Sequence, residues 1–111
     1  MANRSNLAEI IVVFCTVPDL DTGARIGRTL VEEKLCACVN LLPGLRSIYR
    51  WEGKLTEDAE ALCIIKTTRA AFEPLRARIC QLHPYQVPEV VALPVSEAHR
   101  PYLDWVAQSV E

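Results

Sequence analysis

The sequence predicts an α/β domain of the α+β kind: a split βαβ sandwich, ordered β-α-β-β-α-β, with one more helix at the C-terminus. Three observations carry it. Runs of β-branched and aromatic residues alternate with stretches whose apolar side chains recur every three or four positions. Proline, glycine and aspartate punctuate the junctions between them. The 111 residues suit one domain, placed at 9–111, with the polar segment 1–8 expected to fray.

The first strand is expected over 9–16, where Ile10, Ile11, Val12, Val13 and Phe14 follow one another. Pro18 stops it and Asp19 can cap a helix, with Asp21 well placed in the first turn. That helix runs to about Lys34, with Leu20, Ala24, Gly27, Val31 and Leu35 expected on its inner face. Gly23 and Gly27, four apart, let it sit close to a sheet. A second strand is expected over 36–42, interrupted at Pro43 and Gly44 and resuming over 46–51. Glu52 and Gly53 turn the chain into a third strand over 54–67. Thr68 can cap a second helix, whose stripe is Phe72, Leu75, Ile79 and Leu82; Pro74 marks a kink or the true start. The proline-rich connector 83–88 leads to a fourth strand over 89–95, an edge or bulged one because of Pro94. A last helix starts at Pro101 and turns Leu103, Val106 and Val110 inward.

In an open-faced sheet, strands should alternate apolar and polar residues. Here 10–14, 61–65 and 90–93 are apolar on both parities. Each parity points to a different face, so both faces call for cover. Two or three helices shield one face well, and copies of the same chain are the expected cover for the other.

Half the residues are hydrophobic, and 12 basic residues stand against 14 acidic ones with the signs interspersed. Counterion-driven binding of nucleic acid therefore lacks an electrostatic basis. The apolar run 10–15 is too short for a membrane helix and lacks the flanks of a signal peptide. Five cysteines, none in a Cys-x-x-Cys pair, fit reduced thiols in the cytoplasm. No phosphate loop, nucleophile elbow or dinucleotide fingerprint is present, so no enzyme activity is expected.

Cys15, at the end of the first strand, is either a soft-metal ligand or a small core residue. His83, at the end of the second helix, is either a metal ligand or a partner for that helix's carbonyls. Cys36 and Cys38 share a strand face and read as core fillers, as do Cys63 and Cys80. Trp51, Glu52, Lys66, Tyr85 and Glu89 are polar or amphipathic residues bracketed by core strands. They can line a cleft between subunits, or the aromatic pair can anchor an interface.

The motifs V-F-C-T-V-P-D (13–19), E-K-L-C-A-C-V-N (33–40), Y-R-W-E-G-K (49–54), I-K-T-T (65–68), H-P-Y-Q-V-P-E (83–89) and L-P-V (93–95) occur in this order. Together they resemble the CutA divalent-cation tolerance family from one end of the chain to the other. The resemblance implies a homotrimer of ferredoxin-like subunits, with long hairpin arms pairing sheets across subunits. It implies a role in tolerance of divalent metals, with copper(II) or another divalent cation as ligand and no cofactor required. The implied copper ligands are Cys15 and two adjacent histidines; His83 matches the second, while Leu82 replaces the first. The family's likeness in fold to PII signal proteins implies an alternative, a regulatory or scaffolding trimer that binds a small molecule or protein without metal.

Overall fold

The computed structural model describes residues 9–110; the expected fraying of 1–8 lies outside them. Four strands, β1 (Ile10–Val17), β2 (Cys38–Trp51), β3 (Lys54–Thr68) and β4 (Val91–Pro94), form one sheet in the order β2-β3-β1-β4. Every neighbouring pair is antiparallel. Three helices, α1 (Leu20–Glu32), α2 (Phe72–Leu82) and α3 (Arg100–Val110), complete the α+β architecture. None of them is long and apolar enough to cross a membrane.

The expected cap starts α1: the Thr22 N–H donates to the Asp19 carboxylate at 2.8 Å. Its end is a Schellman turn, in which Leu35 N–H reaches Leu30 O and Lys34 N–H reaches Val31 O. Lys34 accordingly takes the left-handed conformation, at φ 61°. The inner face of α1 is Gly23, Ile26, Gly27 and Leu30, which corrects the expected stripe; Leu20 and Val31 are both 42% exposed. The two glycines set that phase. A Cβ on Gly23 would lie 3.0 Å from Leu41 Cδ2, and one on Gly27 would lie 3.3 Å from Val39. They face the sheet because a Cβ would be crowded at Gly23 and has only tight room at Gly27.

β2 runs unbroken past Pro43 and Gly44, where the sequence suggests an interruption. The two residues form a bulge between Leu42 and Leu45, with Gly44 at φ 84°. Proline is tolerated here because β2 is a sheet edge. A two-residue turn, Glu52 at φ 51° and Gly53 at φ 80°, closes the β2–β3 hairpin. This hairpin outruns β1 and β4, so its distal half, from Leu45 opposite Glu60 to Trp51 opposite Lys54, pairs only with itself. The molecule is 50 Å long and 26 by 23 Å across.

Thr68 caps a short 3₁₀ turn, Arg69–Ala71, rather than α2 itself. Pro74 then falls in the first turn of α2, where its missing N–H leaves no intrahelical bond unmade. β4 spans four residues, Val91–Pro94, instead of the expected 89–95, and the Val95 N–H still reaches Ile10 O beyond it.

α1 and α2 cover one face of the sheet, and between them lie Ile11, Val13, Cys15, Val17, Cys63 and Ile65 with Ile26, Leu30, Leu75 and Ile79. α3 does not join them. Its Leu103 and Val106 pack on Ile10 and Ala37, with Cys38 alongside, and Ile10 and Cys38 belong to the opposite parity. The two crossover helices share one face, as the chain order predicts, whereas the third helix lies on the other. One end of the second face has cover from the chain itself; the rest has none.

Cys36 and Cys38 do not share a face either. β2 begins only at Cys38, so Cys36 turns into the α1–α2 core and Cys38 to the other side.

Candidate functional site

The partly uncovered face is built in rows by strand register. Cys38, Lys66, Val12 and Leu93 form one row, and Asn40, Ile64, Phe14 and Val91 the next. Leu42, Leu62 and Thr16 follow. Beyond the bulge the face continues along the hairpin through Leu45 and Glu60, Ser47 and Asp58, and Tyr49 and Thr56.

At the junction of sheet and hairpin stands Glu60. The Tyr85 hydroxyl donates to its carboxylate at 2.5 Å. Burial and this bond both push the Tyr85 phenol well above its ordinary range. Glu89 is exposed overall, yet local desolvation and the neighbouring Glu60 charge raise its carboxyl. One step further out, Tyr49 donates to Asp58, also at 2.5 Å. Three carboxylates and two phenols thus share one stretch of surface. Sequence reasoning missed Glu60, Asp58 and Tyr49; the signal was that Glu60 keeps the parity of Leu62 and Ile64.

Behind this stretch, His83 ends α2 in an extended conformation, its backbone N–H on Ile79 O. The ring is buried. Its Nε2 lies 2.8 Å from the Thr16 carbonyl, and since a carbonyl only accepts, the proton is on Nε2. Nδ1 accepts the Tyr85 N–H at 3.1 Å. Both ring nitrogens are therefore engaged within the chain. The ring also lies against Tyr85, with centroids 4.6 Å apart. His83 acts here as the clamp that fixes where Tyr85 leaves α2.

Cys15 is fully buried beside its cross-strand partner Cys63. Burial, then Cys63 and Glu89, push its thiol up to about 12. In the single chain both His83 nitrogens are thus occupied and the Cys15 thiol is buried, so neither presents a free donor atom to a metal ion. Among the described residues no group of three or more His, Cys, Asp or Glu side chains is disposed to hold a metal ion.

The five cleft residues do not converge within one chain. Trp51 and Glu52 sit at the hairpin tip opposite Lys54, Tyr85 reaches Glu60, and Lys66 lies near the α3 end. Successive stations, six residues apart along β3, are separated by roughly 20 Å. His99, just before α3, is exposed. A groove of about 440 Å³ between α1 and β2, lined by Gly23, Gly27, Val39 and Leu41 with Arg28 and Glu32 at its rim, includes none of these residues.

The family model described as CutA1 divalent ion tolerance protein matches residues 11–109. The divalent-cation tolerance protein CutA of Thermus thermophilus is 53% identical over 98 residues, covering 88% of this chain and 95% of that one. The chloroplastic protein CutA of Arabidopsis thaliana is 44% identical over 109 residues, or 98% of this chain, which spans 60% of the longer plant protein. Among solved structures, the divalent cation tolerance protein of Thermus thermophilus superposes with a TM-score of 0.90 at 51% identity, covering 92% and 99% of the two chains. CutA1 from Oryza sativa gives 0.91 at 42% identity, with coverage of 96% and 97%.

Proposed function

The chain belongs to the CutA1 divalent ion tolerance protein family, and on that premise we propose that it serves divalent-cation tolerance as a homotrimer, without catalysis of its own. The observation that carries this is the sheet face left bare beside α3. Phe14, Leu62 and Ile64 are half-buried there, while Leu42, Val91 and Leu93 remain 49%, 50% and 47% exposed. Covering such side chains is worth about 1.5–3 kcal/mol each when burial is complete. Ile48 and Leu55, 63% and 77% exposed, leave further apolar surface on the opposite face of the hairpin.

Both sheet edges, β2 and β4, are also free in the single chain. Edge-to-edge contact between unlike edges is heterologous, and such a contact makes a ring when its rotation closes and a filament when it does not. Three copies satisfy the face and both edges together. Light scattering on the purified protein at nanomolar concentration tests this; three times 12.4 kDa is expected, and a stable single chain would overturn it. The same proposal places the protein in the cytoplasm, where its five free thiols stay reduced.

Cation handling in this reading does not run through Cys15 and His83 as folded. Copper(II) titrations of the wild type and Cys15→Ser are expected to superimpose, and divergent isotherms would restore the thiol as a ligand. The second reading is a PII-like regulatory trimer with a small-molecule cleft at Trp51, Glu52, Lys66, Tyr85 and Glu89. Its support is the hairpin, long enough to carry Trp51 and Glu52 away from their own sheet and onto a partner's. A metabolite thermal-shift screen with no response at saturating concentrations counts against it.

A further inference from the structure

We propose that the groove between α1 and β2 binds a free apolar α-amino acid, whose side chain lies on the groove floor while Arg28 and Glu32 hold its two charged groups. The groove measures about 440 Å³, within the range of small-molecule sites. Gly23 and Gly27 bring α1 down onto β2, with Leu41 and Val39 beneath them. Because β2 is a sheet edge, the helix covers these two side chains from one side only, and both stay half-buried. Ala24, Gly27 and Val31 lie within about 60° of one another around the helix, on the flank that overlooks this edge. Val31 is 42% exposed there. Part of the apolar stripe expected from the sequence therefore lines the groove instead of the core.

Polar chemistry is confined to the rim. Arg28 and Glu32 stand one turn apart on the same flank, both exposed, with Cβ atoms about 5–6 Å apart. Arginine four residues before glutamate is the weaker order for a helical ion pair. Among the described residues neither makes an ion pair, whereas the next residue, Glu33, is held by Arg78 of α2. One cation and one anion at this spacing match a carboxylate and an ammonium carried on a single carbon. The guanidinium donates to the carboxylate in a two-bond fork, and Glu32 accepts from the ammonium. The side chains of the floor offer no polar atom, so the rest of the ligand has to be apolar. A phosphate meets no net positive charge here. A metal ion finds one carboxylate, and among the described residues no metal-holding group exists.

Assembly does not close this site. Val39 and Leu41 point to the helix side of the sheet, whereas Cys38, Asn40 and Leu42 take the open face that copies of the chain would cover. Three sheets set around an axis with their open faces inward turn their helix sides outward. Where two of them meet edge to edge, the helix sides splay apart. A partner strand on β2 would then lengthen the floor and leave the mouth in water. The site belongs to one chain, so it stands whether or not the trimer does.

The test titrates L-leucine into the full chain carrying labelled valine and leucine methyl groups. Expected are saturable shifts at Val31, Val39 and Leu41, complete by about 10 mM. Two half-ligands, 4-methylpentanoate without the amine and isoamylamine without the carboxylate, should each bind about tenfold more weakly or worse. Arg28→Gln and Glu32→Gln, both exposed, keep the fold and should weaken leucine by a similar factor, while Ala24→Leu fills the groove and should abolish the shifts. Absence of shifts at the three residues, or equal binding of leucine and 4-methylpentanoate, would overturn the proposal. So would undiminished binding by the two glutamine variants. If the same methyl groups shift when the protein alone is diluted, a second copy occupies the groove and the amino-acid site is wrong.

Discussion

Tyr85 and Glu60, 25 residues apart in sequence, meet at 2.5 Å where the hairpin leaves the sheet. Neither holds its place alone. Tyr85 is fixed from behind because its own N–H is accepted by His83 Nδ1, while His83 Nε2 binds the Thr16 carbonyl. β1, α2, the connector and β3 are tied at one point through these groups. The histidine that the family resemblance marks as a ligand is here the rivet of that joint.

Tyr85→Phe should therefore weaken the joint while keeping the ring. It leaves the Glu60 carboxylate without this donor, beside Glu89, whose carboxyl Glu60 already pushes upward. A hydrogen bond to a charged group contributes about 1.5–3 kcal/mol when buried; partial exposure of Tyr85 lowers the expected loss to about 1 kcal/mol. Urea melts at one fixed protein concentration measure it. An unchanged midpoint would mean the contact contributes nothing.

The buried thiols predict alkaline lability. Cys15 and Cys36 are raised from 9.0 to about 12, and Cys63 to about 11, with burial the largest cause each time. A raised folded value means the native state keeps its proton while the unfolded chain has lost it. Stability is thus fully present below pH 9 and falls as pH climbs toward 12. Each such thiol steepens the fall by about 1.4 kcal/mol per pH unit. Cys15→Ala should make the decline shallower by that amount between about pH 9.5 and 11.5. Parallel pH profiles for wild type and variant would show that Cys15 already ionises in the fold.

Much of this fold was legible in local chemistry, and the exceptions have physical reasons. β1 and β3 follow from β-branched runs, and the start of α1 from Asp19. Gly23 and Gly27 are legible as a close-approach pair, but the α1 stripe built on Leu20 and Val31 is displaced because the approach to the sheet at the two glycines, not the largest side chains, sets the phase of the helix. Pro43 and Gly44 suggested a break because proline's harm depends on whether its N–H side faces a neighbour, and only topology places β2 at the edge. The position of α3 depends on Ile10 and Ala37 being bare, which no helix period reveals. For the site, Cys15 and His83 were visible as residues, but what occupies the ring nitrogens is decided by Thr16 and Tyr85 in three dimensions. The Tyr85–Glu60 pair leaves no local trace, since it joins separate elements.

Gly23 offers a contest between two effects of known size. Alanine in place of a helical glycine gains about 1 kcal/mol in propensity. At Gly23 the new Cβ would lie 3.0 Å from Leu41, 3.1 Å from Val17 and 3.3 Å from Cys63, and overpacking of this kind costs about 1–3 kcal/mol. Crowding should win, and Gly23→Ala should lower stability by about 1 kcal/mol. At Gly27 only Val39 is near, at 3.3 Å and beyond, so Gly27→Ala should stay within about 0.5 kcal/mol of the wild type. Denaturant midpoints for the pair give the comparison directly. If Gly23→Ala proves the more stable of the two, α1 is not held as close to β2 as the contacts require.

Leu93 separates folding from assembly. It lies on β4 opposite Val12 and is 47% exposed in the single chain, so its loss opens no cavity in either hydrophobic core. Leu93→Glu should leave the far-ultraviolet circular dichroism spectrum of the folded chain intact. In an assembly that covers this face, however, the carboxylate would be taken out of water with only Lys66, two strands away in the same row, as a cation. Stripping a charge of its hydration without a close partner costs several kcal/mol per ion, and symmetry repeats that cost in every copy. The expected result is a shift from trimer toward monomer by light scattering, with the fold retained. A variant that stays trimeric at nanomolar concentration would place the contact surface elsewhere, on the hairpin rather than on the open face of the sheet.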